Sequence, residues 1–260
     1  MILRVACACL VLAAPAAACS APPWADAVEG SRVQTAIGSP DGISHAWYAD
    51  LTDVYDHAIL GDALEPTVLH VWGASTIDTC GASIAAGRGH VFEDIAPRLV
   101  DLTGDGLPEV IAIRTSVTEG GQLAIYGVDA DGLTLLATTP YIGRSRRWLA
   151  PAAVADLDDD GRVEVAYVDR PHLAKVLRIW RFDTDALTEV AAISGVTNHR
   201  IGEDFISGGL RVCDGAPEII VASADWQRMM ALTFDGVTID AVDIGPWSPA
   251  RAEAALACAD

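Results

Sequence analysis

Asp101-Leu-Thr-Gly-Asp-Gly-Leu-Pro-Glu109 and Asp156-Leu-Asp-Asp-Asp-Gly-Arg-Val-Glu164 are two copies of one acidic nonapeptide. Each runs straight into an apolar stretch, Val110-Ile-Ala-Ile113 and Val165-Ala-Tyr-Val168, and each is preceded by an Ala-Pro step and a short apolar run. A worn copy lies further on, where Asp214, Gly215 and Glu218 persist but Leu210 and Val212 stand at the first and third loop positions. A fainter one opens at Ala46, with Asp50 first and Thr52 third. The first positions fall at 50, 101, 156 and 210, in steps of 51, 55 and 54 residues, the interval of a propeller blade.

Each period reads as four short strands. In the second they lie near 97–101, 108–114, 121–127 and 132–138, and in the third near 151–155, 163–169, 174–181 and 187–193, with Gly/Asp turns between β-branched and apolar runs. A β-sandwich has similar strand spacing but no reason to reuse one acidic loop at equal intervals. The expectation is an all-β chain, a β-propeller of about four four-stranded blades over residues 38–245. Residues 22–37 form an N-terminal segment whose Arg32–Ile37 run is expected to close the ring by joining the last blade. The tail, 246–260, is expected to pack as a short helix or cap.

Calcium takes six to eight oxygen ligands. Loop positions 1, 3, 5 and 9 offer side-chain oxygens, position 7 offers its carbonyl, and glycine at position 6 allows the left-handed turn that gathers them. This assigns Asp156, Asp158, Asp160, the Arg162 carbonyl and Glu164 to one ion, and Asp101, Thr103, Asp105, the Leu107 carbonyl and Glu109 to another. Thr103 is neutral, so its loop should bind more weakly. Asp-Gly pairs are also ordinary hairpin chemistry. Two full copies at the same place in a repeat favour calcium. The copies at 50 and 210 lack the ligands. An EF-hand does not fit, because Ala112 and Tyr167 hold the twelfth position, where a bidentate glutamate belongs.

The repeats resemble FG-GAP (VCBS-type) repeats, as in the integrin α-chain propeller and many bacterial secreted proteins. The resemblance spans roughly 44–243 and is specific at 101–109 and 156–164. It implies structural calcium in the hairpin between the first two strands of a blade. The family usually forms seven blades, and its members serve in adhesion, carbohydrate binding and enzyme accessory roles, so the resemblance leaves the ligand open.

Composition bounds the partners. The chain has 260 residues, 36 Asp+Glu against 17 Lys+Arg, and a formal net charge of -19; Lys175 is its only lysine. Such a surface repels nucleic acid and anionic lipid. Arg4, the apolar run Val5–Ala14 and the small residues Ala16–Ala18 read as a cleaved signal peptide over 1–18, so the protein is expected to be secreted or periplasmic. The competing reading is a lipoprotein anchored at Cys19. No later stretch has the length of a membrane span. Export permits disulfides among Cys19, Cys80, Cys213 and Cys258. Four cysteines allow three pairings and the sequence does not choose among them; Cys213 with Cys258, tying the tail to the last repeat, is the pairing expected.

If the calcium hairpins occupy one face, the blade-to-blade links and the links between second and third strands occupy the other. Those links hold His45, Trp47, His90, Arg144, Arg146, Arg147, Trp148, His199 and Arg200, then Asp62, Asp169, Arg170, His172 and Asp225. The ligand site expected there comprises His90, Arg144, Arg147, Trp148, Asp169, His199, Arg200 and Asp225, with guanidinium groups for anions and Trp148 for sugar stacking. The bland alternative is that these residues bond the link backbones. No GxSxG, HExxH or phosphate loop occurs. The leading function is a calcium-binding module for a protein or glycan. A polysaccharide lyase or hydrolase using the Arg/His face is the alternative, and a structural subunit whose ring is completed by oligomerisation is the third reading.

Overall fold

The runs Val110–Ile113, Val165–Val168 and Ile219–Ala222 are apolar at every position. Alternate side chains of a strand point to opposite faces, so such strands must be covered on both sides. The computed structural model, which describes residues 24–35, 42–61, 63–73, 81–129, 131–183, 185–213 and 215–259, shows how. Four antiparallel sheets succeed one another along the chain as blades of a propeller.

The first blade is β1 (Val33–Gln34), β2 (His45–Thr52), β3 (Glu65–Trp72) and β4 (Gly81–Ala85). In the second, β5 (His90–Phe92) and β6 (Arg98–Val100) both pair with β7 (Glu109–Ser116), followed by β8 (Gly120–Asp129) and β9 (Gly132–Thr138). The third is β10 (Leu149–Ala155), β11 (Glu164–Asp169), β12 (Val176–Asp183) and β13 (Ala186–Ser194). In the fourth, β14 (Val196–Thr197) and β15 (Gly209–Arg211) share β16 (Glu218–Ser223), which precedes β17 (Arg228–Phe234) and β18 (Ile239–Pro246).

Adjacent blades interlock through the alternating faces. Val110 and Ala112 meet Tyr48, Leu69 and Val71 of the first blade. Ile111 and Ile113 meet Val165, Tyr167 and Trp180 of the third. Ala166 and Val168 meet Ile219 and Val221 of the fourth, whereas Ile220 points the other way onto Ala252 and Ala255. Those alanines belong to α1 (Pro249–Leu256), the short helix expected of the tail. Ser248 caps it by accepting the Arg251 N–H, and Pro249 opens its first turn. A disulfide between Cys213 and Cys258 ties its end to the segment between β15 and β16. Val33, Val100, Ala153 and Leu210, one from each blade's inner strand, line a shared cavity of about 560 Å³.

Three expectations need correction. First, β1 pairs with β2 in the first blade and, among the described residues, does not join the last one; residues 36–37 of the expected closing run lie outside them. Second, the repeat at 50 lies one strand out of phase with its reading from the sequence. β1 is the inner strand there, so His45–Thr52 is a second strand, equivalent to β7, β11 and β16. Second strands begin at 45, 109, 164 and 218, which makes the first step 64 residues and the next two 55 and 54. His45 and Trp47 therefore lie toward the end of their strand where the other blades carry the acidic nonapeptides, and the 53–64 link belongs to the other face. Third, the inner strands of the second and fourth blades are interrupted, at 93–97 and 198–208. The expected signal peptide, Cys19, Asp62 and Cys80 lie outside the described residues. Among the described residues, no helix is long and apolar enough to cross a membrane.

Candidate functional site

Both nonapeptides connect an inner strand to the second strand of its blade, and they share one internal geometry. The ninth-position glutamate begins the second strand and accepts the N–H of the second loop residue: Leu102 to Glu109 Oε2 at 2.8 Å, Leu157 to Glu164 Oε2 at 2.9 Å. The first aspartate accepts the N–H of the sixth-position glycine, at 2.8 Å in each case. Gly106 and Gly161 have φ of 85° and 86°, the left-handed turn that draws the chain back over its carboxylates. Asp105 and Asp160 accept the N–H of the seventh residue at 2.7 and 2.9 Å.

The loops differ in charge balance. Asp156, Asp158 and Glu164 each present an oxygen within 4.8 Å of the others, whereas Asp101, Asp105 and Glu109 are set wider apart. Arg181 stands opposite Glu164 on β12. Its Nη2 lies 2.5 Å from Glu164 Oε1, 2.8 Å from Asp158 Oδ2 and 3.4 Å from Asp160 Oδ2. Arg162 contributes its side chain as well, donating to Asp160 Oδ2 at 2.7 Å. In the second blade Gly127 lies beside Glu109 in a cavity of about 140 Å³ and brings no charge. Burial, opposed by the Leu102 N–H and reinforced by Asp105 and Asp101, pushes the Glu109 carboxyl up to about 7. Glu164 is also raised by burial, but the Leu157 N–H and Arg181 pull it down. Both donor sets consist of oxygen alone, which fits a hard cation such as calcium.

On the opposite face a pocket of about 200 Å³ lies among His57, Arg146, Arg147, Trp148, Arg170 and His172. His57 Nδ1 bonds the Glu93 carboxylate, which is fully buried and also accepts the Thr115 hydroxyl at 2.9 Å. His172 Nε2 lies 3.1 Å from His199 Nδ1, and His199 Nε2 lies 2.9 Å from the Glu203 carbonyl. A carbonyl only accepts, so His199 donates through Nε2 and receives the Nε2–H of His172. Burial and the neighbouring His199 push His172 down to about 4, so it is neutral at pH 7. Arg146 pairs with Asp56 at 2.5 Å, and Arg170 with Asp169 at 2.8 Å. Both have left-handed backbones, φ 53° and 45°, which cost a non-glycine residue about 1 kcal/mol or more.

Residues 101–167 match the family described as an FG-GAP-like repeat. Over these residues the chain carries an FG-GAP-like repeat. The matched segment starts at the first position of one nonapeptide and ends in the strand that follows the other. No curated protein matches the chain.

The propeller disperses the eight residues expected on its second face. Arg147 and Trp148 reach the pocket; His199 stands behind it, bonded to His172, and Asp169 supports Arg170. His90 bonds Tyr141 Oη at 2.7 Å and Arg144 is exposed, both away from the pocket. Arg200 lies over the Trp226 ring at 4.2 Å, and Asp225 caps the turn at Ser223–Gln227. Trp148 is not available for sugar stacking: it is 2% exposed, and its indole N–H donates to the Glu93 carbonyl at 2.7 Å. Sequence reasoning missed His57, because the out-of-phase first repeat assigned its link to the wrong face. It also missed Glu93, whose one visible signal is an acid directly after the Val91-Phe92 run.

Proposed function

We propose that this protein is an exported, calcium-stabilised propeller that serves as a binding module for a protein or glycan partner. The carrying observation is the repeated hairpin. Two nine-residue loops at equivalent places share one pattern of carboxylate-to-backbone hydrogen bonds, and in one loop three carboxylates present oxygens within 4.8 Å of one another. Calcium supplies positive charge where Asp101, Thr103, Asp105 and Glu109, or Asp156, Asp158, Asp160 and Glu164, bring negative charge together, with the Leu107 and Arg162 carbonyls as further donors. It acts as a brace between the inner and second strands of the two middle blades. Recognition then falls to the face away from the hairpins, where the links gather arginine and histidine. Export is supported by the apolar run Val5–Ala14 followed by Ala16–Ala18.

Thermal unfolding of metal-stripped protein tests the brace. Calcium at about 100 times its dissociation constant adds about 2.7 kcal/mol per site, or roughly 5–10 °C at this chain length. Asp101→Ala and Asp156→Ala should each remove part of that shift and together abolish it. An unfolding temperature unchanged by calcium and chelator would reduce the loops to turns.

A further inference from the structure

We propose that the pocket between the 53–64 link and the β11–β12 link binds an acidic sugar, its carboxylate on Arg147 and its hydroxyls on the imidazoles of His57 and His172. This deepens the binding-module reading and rests on it for the choice of face. Of the three arginines at the pocket, Arg146 and Arg170 are held by Asp56 and Asp169. Arg147 makes no ion pair with a described carboxylate, and its Nη1 donates to the Arg146 carbonyl at 2.6 Å. The remaining guanidinium N–H groups match a carboxylate fork.

The imidazoles define what else the ligand carries. His57 spends Nδ1 on Glu93, and His172 spends Nε2–H on His199. Each ring keeps one nitrogen not bonded within the described protein, Nε2 of His57 and Nδ1 of His172. On neutral His172 that nitrogen is an acceptor, which suits a hydroxyl donor rather than a second anionic oxygen. A cationic fork beside an imidazole acceptor therefore selects a ligand with a carboxylate and O–H groups together. Leu173 and Ile201, 63% and 71% exposed, form an apolar rim for the C–H face of a ring. At about 200 Å³ the pocket is below the usual range for a whole ligand, so it takes one sugar unit. The net charge of -19 disfavours a polyanion and favours a single terminal acidic unit.

Two features support a built site rather than a surface dent. Glu93 is fully buried and fixes His57 from below, with Thr115 holding its second oxygen. Arg146 and Arg170 flank the pocket in left-handed conformations, held by an N–H bond from Arg146 to Tyr55 Oη at 2.9 Å and from Arg170 to the Trp148 carbonyl at 3.0 Å. Strained positions of this kind persist where surrounding structure over-determines them.

The test is a calorimetric titration of the full chain with D-glucuronate, D-galacturonate, D-galactose and inorganic phosphate. The uronates should bind saturably, with galactose and phosphate at least tenfold weaker. Arg147→Gln should weaken uronate tenfold or more, and Leu173→Glu, a rim change outside the packed structure, should weaken it by like-charge repulsion. Unfolding temperatures of the variants confirm that they are folded. Absence of saturable uronate binding, equal binding of galactose, tighter binding of phosphate, or insensitivity to both substitutions would each overturn the proposal. Calcium-dependent stability is read separately, so the pocket can fail while the braced module stands.

Discussion

Arg181→Ala isolates the charge balance of the 156–164 hairpin. The substitution removes the one guanidinium among the described residues that faces Glu164, which is fully buried, and Asp158, whose side chain is 5% exposed. Losing one partner of a buried ion pair costs about 3–5 kcal/mol. The Arg181 side chain is itself 13% exposed, so some solvent reaches the cluster and a loss of about 3 kcal/mol is the central expectation. For a chain of this length that lowers the unfolding temperature by roughly 6–12 °C in chelator. Calcium should then restore most of the loss, because the ion meets the same three oxygens that the guanidinium held. The assay is thermal unfolding of wild type and Arg181→Ala, each with chelator and with millimolar calcium. The variant should show the larger calcium shift. Equal losses in chelator and calcium would mean that no ion enters this hairpin, and a loss below about 1 kcal/mol would mean that Arg181 is not its counter-charge.

Two further outcomes follow from single residues. Glu109 keeps its proton to about pH 7 in the folded chain, against an ordinary carboxyl value of 4.5, so the folded state binds more protons between those limits and stability falls as pH rises through them. Full burial would make this about 3 kcal/mol; solvent screening reduces it to about 1–2 kcal/mol. Denaturant midpoints in chelator from pH 4.5 to 7.5 should show the fall, Glu109→Gln should flatten it, and a flat wild-type profile would contradict it. Trp148→Phe should cost about 1–3 kcal/mol by leaving the buried Glu93 carbonyl without its indole donor. Urea unfolding measures that cost, and an unchanged midpoint would mean that the bond contributes nothing.

The sequence made the blades legible because the same constraint acts twice. An acidic loop must turn at Gly106 and Gly161, and the strand after it must be apolar on both faces because a blade packs on each side. The strands at 109–116 and 164–169 are therefore readable almost to the residue. The first blade misleads because Asp50-Leu-Thr imitates Asp101-Leu-Thr while belonging to a second strand. That single phase error sends His57 to the wrong face and puts His45 on the face that His57 occupies. Arg181 is invisible for a different reason. It is 17 residues from Glu164, and only the pairing register of β11 and β12 brings the two together. Trp148 reads as a surface aromatic, but the interruption at 93–97 buries it against Glu93. Composition cannot reveal such an insertion.

The most direct test of the calcium-braced propeller is a calorimetric titration of metal-stripped protein with calcium. Saturable binding is expected at two sites, with the 101–109 hairpin, which has no guanidinium like Arg181 among the described residues, filling first. That order reverses the one expected from neutral Thr103 alone, because an ion entering the 156–164 hairpin must displace Arg181. Asp101→Ala should remove the tighter site and Asp156→Ala the weaker. No binding heat at any calcium concentration, together with an unfolding temperature indifferent to the ion, would contradict it.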